Sequence, residues 1–349
     1  MQATLTINLG AIVANWTALD GLSAATVETA AVVKADAYGL GIDKVAPALA
    51  RAGARTFFVA QTEEGVDLRA ILGPEPEIYV FGGLMPGDGP MIQEAKLIPC
   101  LNSLAQTADF TSIMDVDVPY ALQMDSGMNR LGEEPANIAE LRDLLRDRPR
   151  PRLVMSHLAC ADTPDHPQNR AQHSTFANIR AALPAESYSL AATGGTLMGP
   201  DYHHDMTRPG IGLYGGLPFA AARPAVALSL PVIQTREIAP GESVGYGAFW
   251  TAQRPSRIAT VSSGYADGLI RATGNGTVDL YAGDTPCPLV GRVSMDLLTV
   301  DVTDLPQVPE TLDILNTHQT VDHLAEAAGT IGYEFLTSLG NRYARTVLP

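Results

Sequence analysis

A lysine closes the short apolar run 31–33 in the stretch AVVKADAYGLG, residues 31–41. Apolar runs this short read as buried strands, which places Lys34 where a core meets its rim. Burial weakens an amine's preference for its charged form, and a neutral amine is what Schiff-base chemistry requires. A lysine snorkelling out of an edge strand satisfies the same spacing and is, on spacing alone, the commoner case. Other chemically capable residues also stand just after apolar runs. Asp125, Ser126 and Arg130 in MDSGMNR follow 120–124, His157 follows 153–156, and Thr193-Gly194-Gly195-Thr196 follows 188–192. Arg208, Gly210 and Ile211 lie within 206–214, and Tyr265 lies in GYADG. Glycines in such loops let backbone N–H groups close around an anion. A phenol near pKa ~10 is a weak base unless its anion is stabilised. Taken singly, His157 is as well explained as a structural histidine, and Tyr265 as a half-buried tyrosine at a strand end.

These residues gain meaning from the elements that carry them. Apolar runs at 31–33, 56–59, 78–81, 97–101, 120–124, 153–156, 188–192 and 206–214 alternate with helix-like stretches at 45–52, 62–70, 103–110, 138–146 and 166–183. Another helix-like stretch precedes the first run, at 9–22. Eight strands separated by helices predict a parallel (β/α)8 TIM-type barrel, an α/β fold whose functional residues gather at the C-terminal ends of its strands. After Leu217 the texture turns to Pro, Gly and β-branched residues. Strands are expected at 226–235, 257–262, 277–281, 287–290 and 297–302, with turns at 240–241, 274–276 and 282–284 and a helix at 321–328. The expected organisation is therefore a barrel over 1–224 and a mostly β domain over 225–349. The first few residues are free to pair with the β domain.

Composition narrows the partners. Net charge is −15 over 349 residues, which repels nucleic-acid phosphates and anionic lipid. Three scattered cysteines imply neither a disulfide framework nor a metal site, and favour a reducing compartment. His166, His173, His203 and His204 lack ligand spacing and read as exposed loop histidines. No secretory signal and no membrane-length apolar run is visible, so the expectation is a soluble cytoplasmic protein. The string GIGLYG at 210–215 satisfies G-x-G-x-x-G, but it comes late and leads into Gly216, Leu217 and Pro218, which excludes a dinucleotide-binding reading.

The blocks VVKADAYGLG, MDSGMNRLG, SHLACAD, TGGTLM, RPGIGLYG, SSGYADG, VGRVSMD and IGYE resemble, in order, those of the alanine racemases. These enzymes depend on pyridoxal phosphate (PLP). The resemblance implies that Lys34 holds PLP as a Schiff base and acts as one base, with Tyr265 as the base on the opposite face. It implies that His157 supports that tyrosine and that Arg208 faces the pyridine nitrogen. Tyr38, Thr193, Gly210, Ile211 and Tyr333 match phosphate-holding positions. Arg130 matches the arginine that contacts the cofactor's phenolic oxygen and the substrate carboxylate, and Met295 a second carboxylate contact. Asp162 is similar to an acidic residue lining the substrate channel, though a solvated loop aspartate is equally served. A homodimer is implied, in which Tyr265 and the Met295-Asp296 pair reach the partner's site.

Three positions depart from the pattern. Gln123 stands where many relatives carry a carbamylated lysine that orients the arginine matched by Arg130. A neutral amide there is expected to make a weaker contact. Thr193 replaces a common serine, and Ser294 a frequent cysteine. Two rival readings are separated by the region after the barrel. A racemase for serine or several amino acids would share every motif. A non-catalytic PLP-binding protein of cofactor homeostasis would lack the β domain that carries Tyr265 and Met295.

Overall fold

The structure, a computed structural model, describes residues 2–274 and 276–349. Two compact units divide the chain: Ile12–Leu213 with Pro218–Ala221, and the residues up to Ala11 with Tyr214–Leu217 and Ala222–Pro349.

The first unit is a ring of parallel strands. Ala31–Val32, Thr56–Val59, Glu77–Val80, Ile98–Leu101, Ala121–Gln123, Leu153–Met155 and Ser187–Ser189 pair in sequence order. The ring closes through Met206–Thr207, which pairs with Glu28–Thr29 on one side. On the other side Asp205 and Arg208 donate their N–H groups to the carbonyls of Tyr188 and Ala191. Strands such as Thr56–Val59 and Ile98–Leu101 are buried at every position. That is why they read as continuous apolar runs rather than alternating ones. The eighth run is a strand only over Met206–Thr207. Pro209 cannot donate to a ladder, and Ile211–Tyr214 turns into a 3-10 helix.

Local chemistry starts the surrounding helices. Ser103 Oγ accepts the N–H of Gln106 at 3.1 Å to cap Leu104–Ile113. His166, expected in an open loop, caps Pro167–Ala182 through Nδ1. His203 is buried, not exposed, with its ring between Ser23 Oγ and the Thr196 carbonyl. His204 Nε2 is buried without a partner, and burial lowers its pKa to about 4. Both corrections come from the turn after Pro200–Tyr202, which folds back onto the barrel helices instead of running into solvent.

The second unit is built on an eight-stranded sheet. Its long strand Val226–Ile238 pairs with Thr4–Asn8, Thr311–Leu315 and Ser256–Ser262, and Ser256–Ser262 pairs in turn with Leu297–Asp301. Thr4–Asn8 also lies parallel to Ala344–Leu348. A hairpin of Asp279–Ala282 and Thr285–Pro288 adds the remaining edge, and the helix Val321–Ala328 stands where periodicity placed it. Asn275, central in the turn expected at 274–276, lies outside the described residues. Ala344–Leu348 escapes a sequence reading because none of its residues is buried, so no apolar pattern marks a strand that pairs in parallel with Thr4–Asn8.

Candidate active site

Lys34 comes directly after the first barrel strand, and Val33 before it is fully buried. The backbone then enters an unusual conformation: Ala35, Asp36, Ala37 and Tyr38 all hold left-handed φ values between 53° and 58°. For residues with a Cβ this costs roughly 1–2 kcal/mol each, so neighbouring bonds must hold the turn. Ala37 donates its N–H to the Val33 carbonyl at 2.9 Å, and Asp36 Oδ1 accepts the N–H of Ile42 at 2.7 Å. Tyr38 is buried, and its hydroxyl lies so close to Gly210 that any Cβ there would collide with it. Thr193 joins the same corner, its Oγ1 accepting the N–H groups of Gly210 at 3.1 Å and Gly212 at 3.2 Å. Tyr38, Thr193, Gly210 and Ile211 therefore converge, with backbone packed too tightly for side chains at 210 and 212.

Three cationic groups crowd the rim beside them. Burial, then repulsion from Arg130, lowers the Lys34 amine from its usual value. Arg208 is only 2% exposed, and burial lowers its pKa to about 10, which still leaves it charged at neutral pH. Its guanidinium donates to Ser189 Oγ and, at 2.6 Å, to the Ser156 carbonyl. His157 feels all three cations: burial, then Arg208, Arg130 and Lys34, lower its pKa to about 3. The imidazole is neutral at neutral pH, so it carries one ring N–H and one acceptor nitrogen.

Residues that the sequence did not single out hold these groups in place. Gln172 lies on the buried face of Pro167–Ala182 with Asn169, Phe176 and Ile179. Its amide donates to Ser126 Oγ and to the His157 carbonyl, and accepts the N–H of Ala159. Ser126 and Ser156 share a 2.7 Å hydrogen bond, so one buried chain ties the loops of Arg130, His157 and Arg208 together. Two polar residues, Asn169 and Gln172, in register with Phe176 and Ile179 on one helix face were the signal available. Asp125 folds the Arg130 loop by accepting the N–H groups of Gly127, Met128 and Asn129. Asp162 is exposed on the loop after His157.

In the β unit, Tyr265 opens the 3-10 turn Tyr265–Asp267 and Met295 lies on the adjoining loop. Main-chain bonds stitch the two together: Tyr265 donates to the Ser294 carbonyl at 3.1 Å and Ala266 to the Met295 carbonyl at 3.0 Å. Beside them Arg342 bridges the buried Asp267, at 2.9 Å, and the exposed Asp296, at 2.8 Å. Tyr333 sits, half-exposed, on the helix Gly332–Ser338. Among the described residues no cluster of three or more His, Cys, Asp or Glu side chains could hold a metal ion.

Residues 7–218 match the family model "Alanine racemase, N-terminal domain" and residues 225–347 match "Alanine racemase, C-terminal domain". The chain belongs to the alanine racemase family. An alanine racemase of Jannaschia sp. strain CCS1 is 61% identical over 99% of both chains. One from Cereibacter sphaeroides is 58% identical, over 98% of this chain and 97% of its own. Among solved structures, alanine racemase from Bartonella henselae with covalently bound pyridoxal phosphate superposes with a TM-score of 0.93. That chain is 36% identical, and the match covers 100% of both chains. The biosynthetic alanine racemase of Pseudomonas aeruginosa gives a TM-score of 0.93 at 36% identity, over 99% of each.

Against that family background, the contact expected between Gln123 and Arg130 is absent: among the described residues no hydrogen bond joins them. Gln123 is buried at the end of its strand, whereas Arg130 is exposed, seven residues on, beyond the turn that Asp125 folds. Arg130 is therefore placed by its loop.

Proposed function

We propose that this protein interconverts L- and D-alanine using pyridoxal phosphate bound covalently at Lys34. The observation that carries the reading is a half-buried lysine of lowered pKa on a strained turn, gathered with Arg130 and the buried Arg208 around His157. The residues present fit the cofactor. Lys34 supplies the amine. Tyr38, Thr193, Gly210 and Ile211 share one corner that would receive the phosphate, and the family likeness adds Tyr333. Bound PLP supplies the electron sink that makes an α-proton removable.

The chain's own groups do the rest. The Lys34 amine would take or return the α-proton on one face of a bound substrate, and the Tyr265 phenol would do so on the other. His157, neutral at working pH, accepts a hydrogen bond from that phenol or donates one to its anion. Arg208 keeps its proton at neutral pH, so facing the pyridine nitrogen it would leave that nitrogen unprotonated and the electron sink weaker. A weak sink favours quick return of the proton over side reactions. Arg130 and the Met295 N–H hold the substrate carboxylate, and Asp162 lines the way in. The family likeness supports a cytoplasmic homodimer in which Tyr265 and Met295 complete the partner's site, supplying D-alanine for peptidoglycan.

The test is to incubate the purified protein and PLP with each L-amino acid and follow optical rotation. Alanine is expected to racemise fastest. Faster turnover of serine would move the protein to a broader racemase, and tight PLP binding with no racemisation would indicate cofactor homeostasis.

A further inference from the structure

The left-handed stretch after Lys34 begins at Ala35, and the Ala35 N–H is donated to Glu64 Oε1 at 2.6 Å. The other carboxylate oxygen, Oε2, accepts the N–H groups of Ala60 at 2.7 Å and Gln61 at 3.2 Å. Oε2 thus serves the start of the helix Thr62–Leu72, as a glutamate at that position commonly does. Oε1 reaches 29 residues back and grips the residue immediately after Lys34. A capping role explains Oε2 and leaves Oε1 unexplained. Four consecutive residues with Cβ atoms do not hold positive φ unless contacts outside the turn over-determine them. Asp36 fixes the far end of the turn through Ile42, and Glu64 fixes its beginning. If the turn relaxed to right-handed values it would re-aim Tyr38, whose hydroxyl sits against Gly210. The negative charge of Glu64 also opposes the effect of burial and of Arg130 on the Lys34 amine.

We propose that Glu64 is a positioning residue for Lys34: its Oε1 holds the left-handed turn that keeps Lys34 and Tyr38 at one corner of the barrel rim, and tight capture of an aldehyde phosphate depends on that grip. The proposal rests on the reading of Lys34 as the cofactor-bearing lysine.

The experiment titrates full-length protein, freed of cofactor, with pyridoxal phosphate. Absorbance gives the affinity, and borohydride fixation with peptide mass analysis locates the bound cofactor. Glu64→Ala is expected to weaken affinity about 10–100-fold, the range for loss of a charge-assisted hydrogen bond. Gln61→Ala removes the other half of the helix start without touching Ala35, and is expected to change affinity less than about two-fold. Adding Ala35→Gly to Glu64→Ala removes the Cβ that opposes positive φ, and is expected to recover about ten-fold. That rescue is the readout a general structural role would not give. If Glu64→Ala does not fold, Glu64→Gln keeps one acceptor oxygen. It is expected to show a smaller loss, again relieved by Ala35→Gly. Affinity unchanged in a folded Glu64 variant, or a loss that Ala35→Gly does not relieve, overturns the proposal. Lys34→Ala, run alongside, separates the two failures: fixed cofactor retained there would overturn the Lys34 reading itself.

Discussion

The barrel rim and the Tyr265 edge of the β unit handle their functional groups in opposite ways. On the barrel, Arg208 is 2% exposed and Lys34 sits on a left-handed turn, with desolvation shifting both. On the β unit, Tyr265 is 42% and Met295 53% exposed, and among the described residues the Tyr265 hydroxyl makes no hydrogen bond. The barrel thus carries the strain and desolvation of its site within its own fold. The β unit ties its loop by main-chain bonds and by the Asp267–Arg342–Asp296 bridge, yet leaves the reactive side chain open. Tunable chemistry belongs to the first region, and the second presents a residue that something else must activate.

That contrast gives an order of effects. Lys34→Ala should abolish fixable cofactor and lower racemisation by more than about 10³-fold, since nucleophile and base are lost together; absorbance and optical rotation report the two. Tyr265→Phe should bind cofactor normally while losing about 10²–10⁴-fold in turnover, the usual worth of a positioned base; normal turnover would erase the contrast. Stability should separate the regions more gently. Desolvation lowers the half-buried imidazoles of His157 and His204 to about 3 and about 4 in the fold, against about 6.5 when unfolded. The unfolded chain therefore binds more protons below pH ~6.5, and stability should fall from there toward pH 3. Denaturation across that range should show a shallower fall in His157→Gln, provided this variant folds. Smallest of all, raising bicarbonate should change kcat/KM less than about two-fold, because Gln123 has no amine to carbamylate.

Much of the barrel was readable because its strands are buried on both faces, so that Thr56–Val59 and its neighbours stand out as apolar runs. The eighth strand was overextended because Ile211–Tyr214 is equally apolar, and only the proline before it marks the break. The rim residues emerged from family blocks joined to the rule that barrels work at strand ends. Unreadable in the sequence is whatever depends on long reach or on backbone sign. Glu64 looks like an ordinary helix-start glutamate until its Oε1 is placed, and no residue type in KADAY announces a left-handed turn. Gln172 gave a faint signal as a polar residue on a buried helix face, but its partners lie on two separate loops, at Ser126 and at His157 and Ala159.

The most direct test monitors exchange of the alanine α-hydrogen for solvent deuterium in Tyr265→Phe, starting separately from L- and D-alanine. If Lys34 and Tyr265 serve opposite faces, one enantiomer continues to exchange with its configuration retained while the other falls nearly silent. Equal exchange from both enantiomers, or equal loss from both, would contradict the division of labour between barrel lysine and β-unit tyrosine.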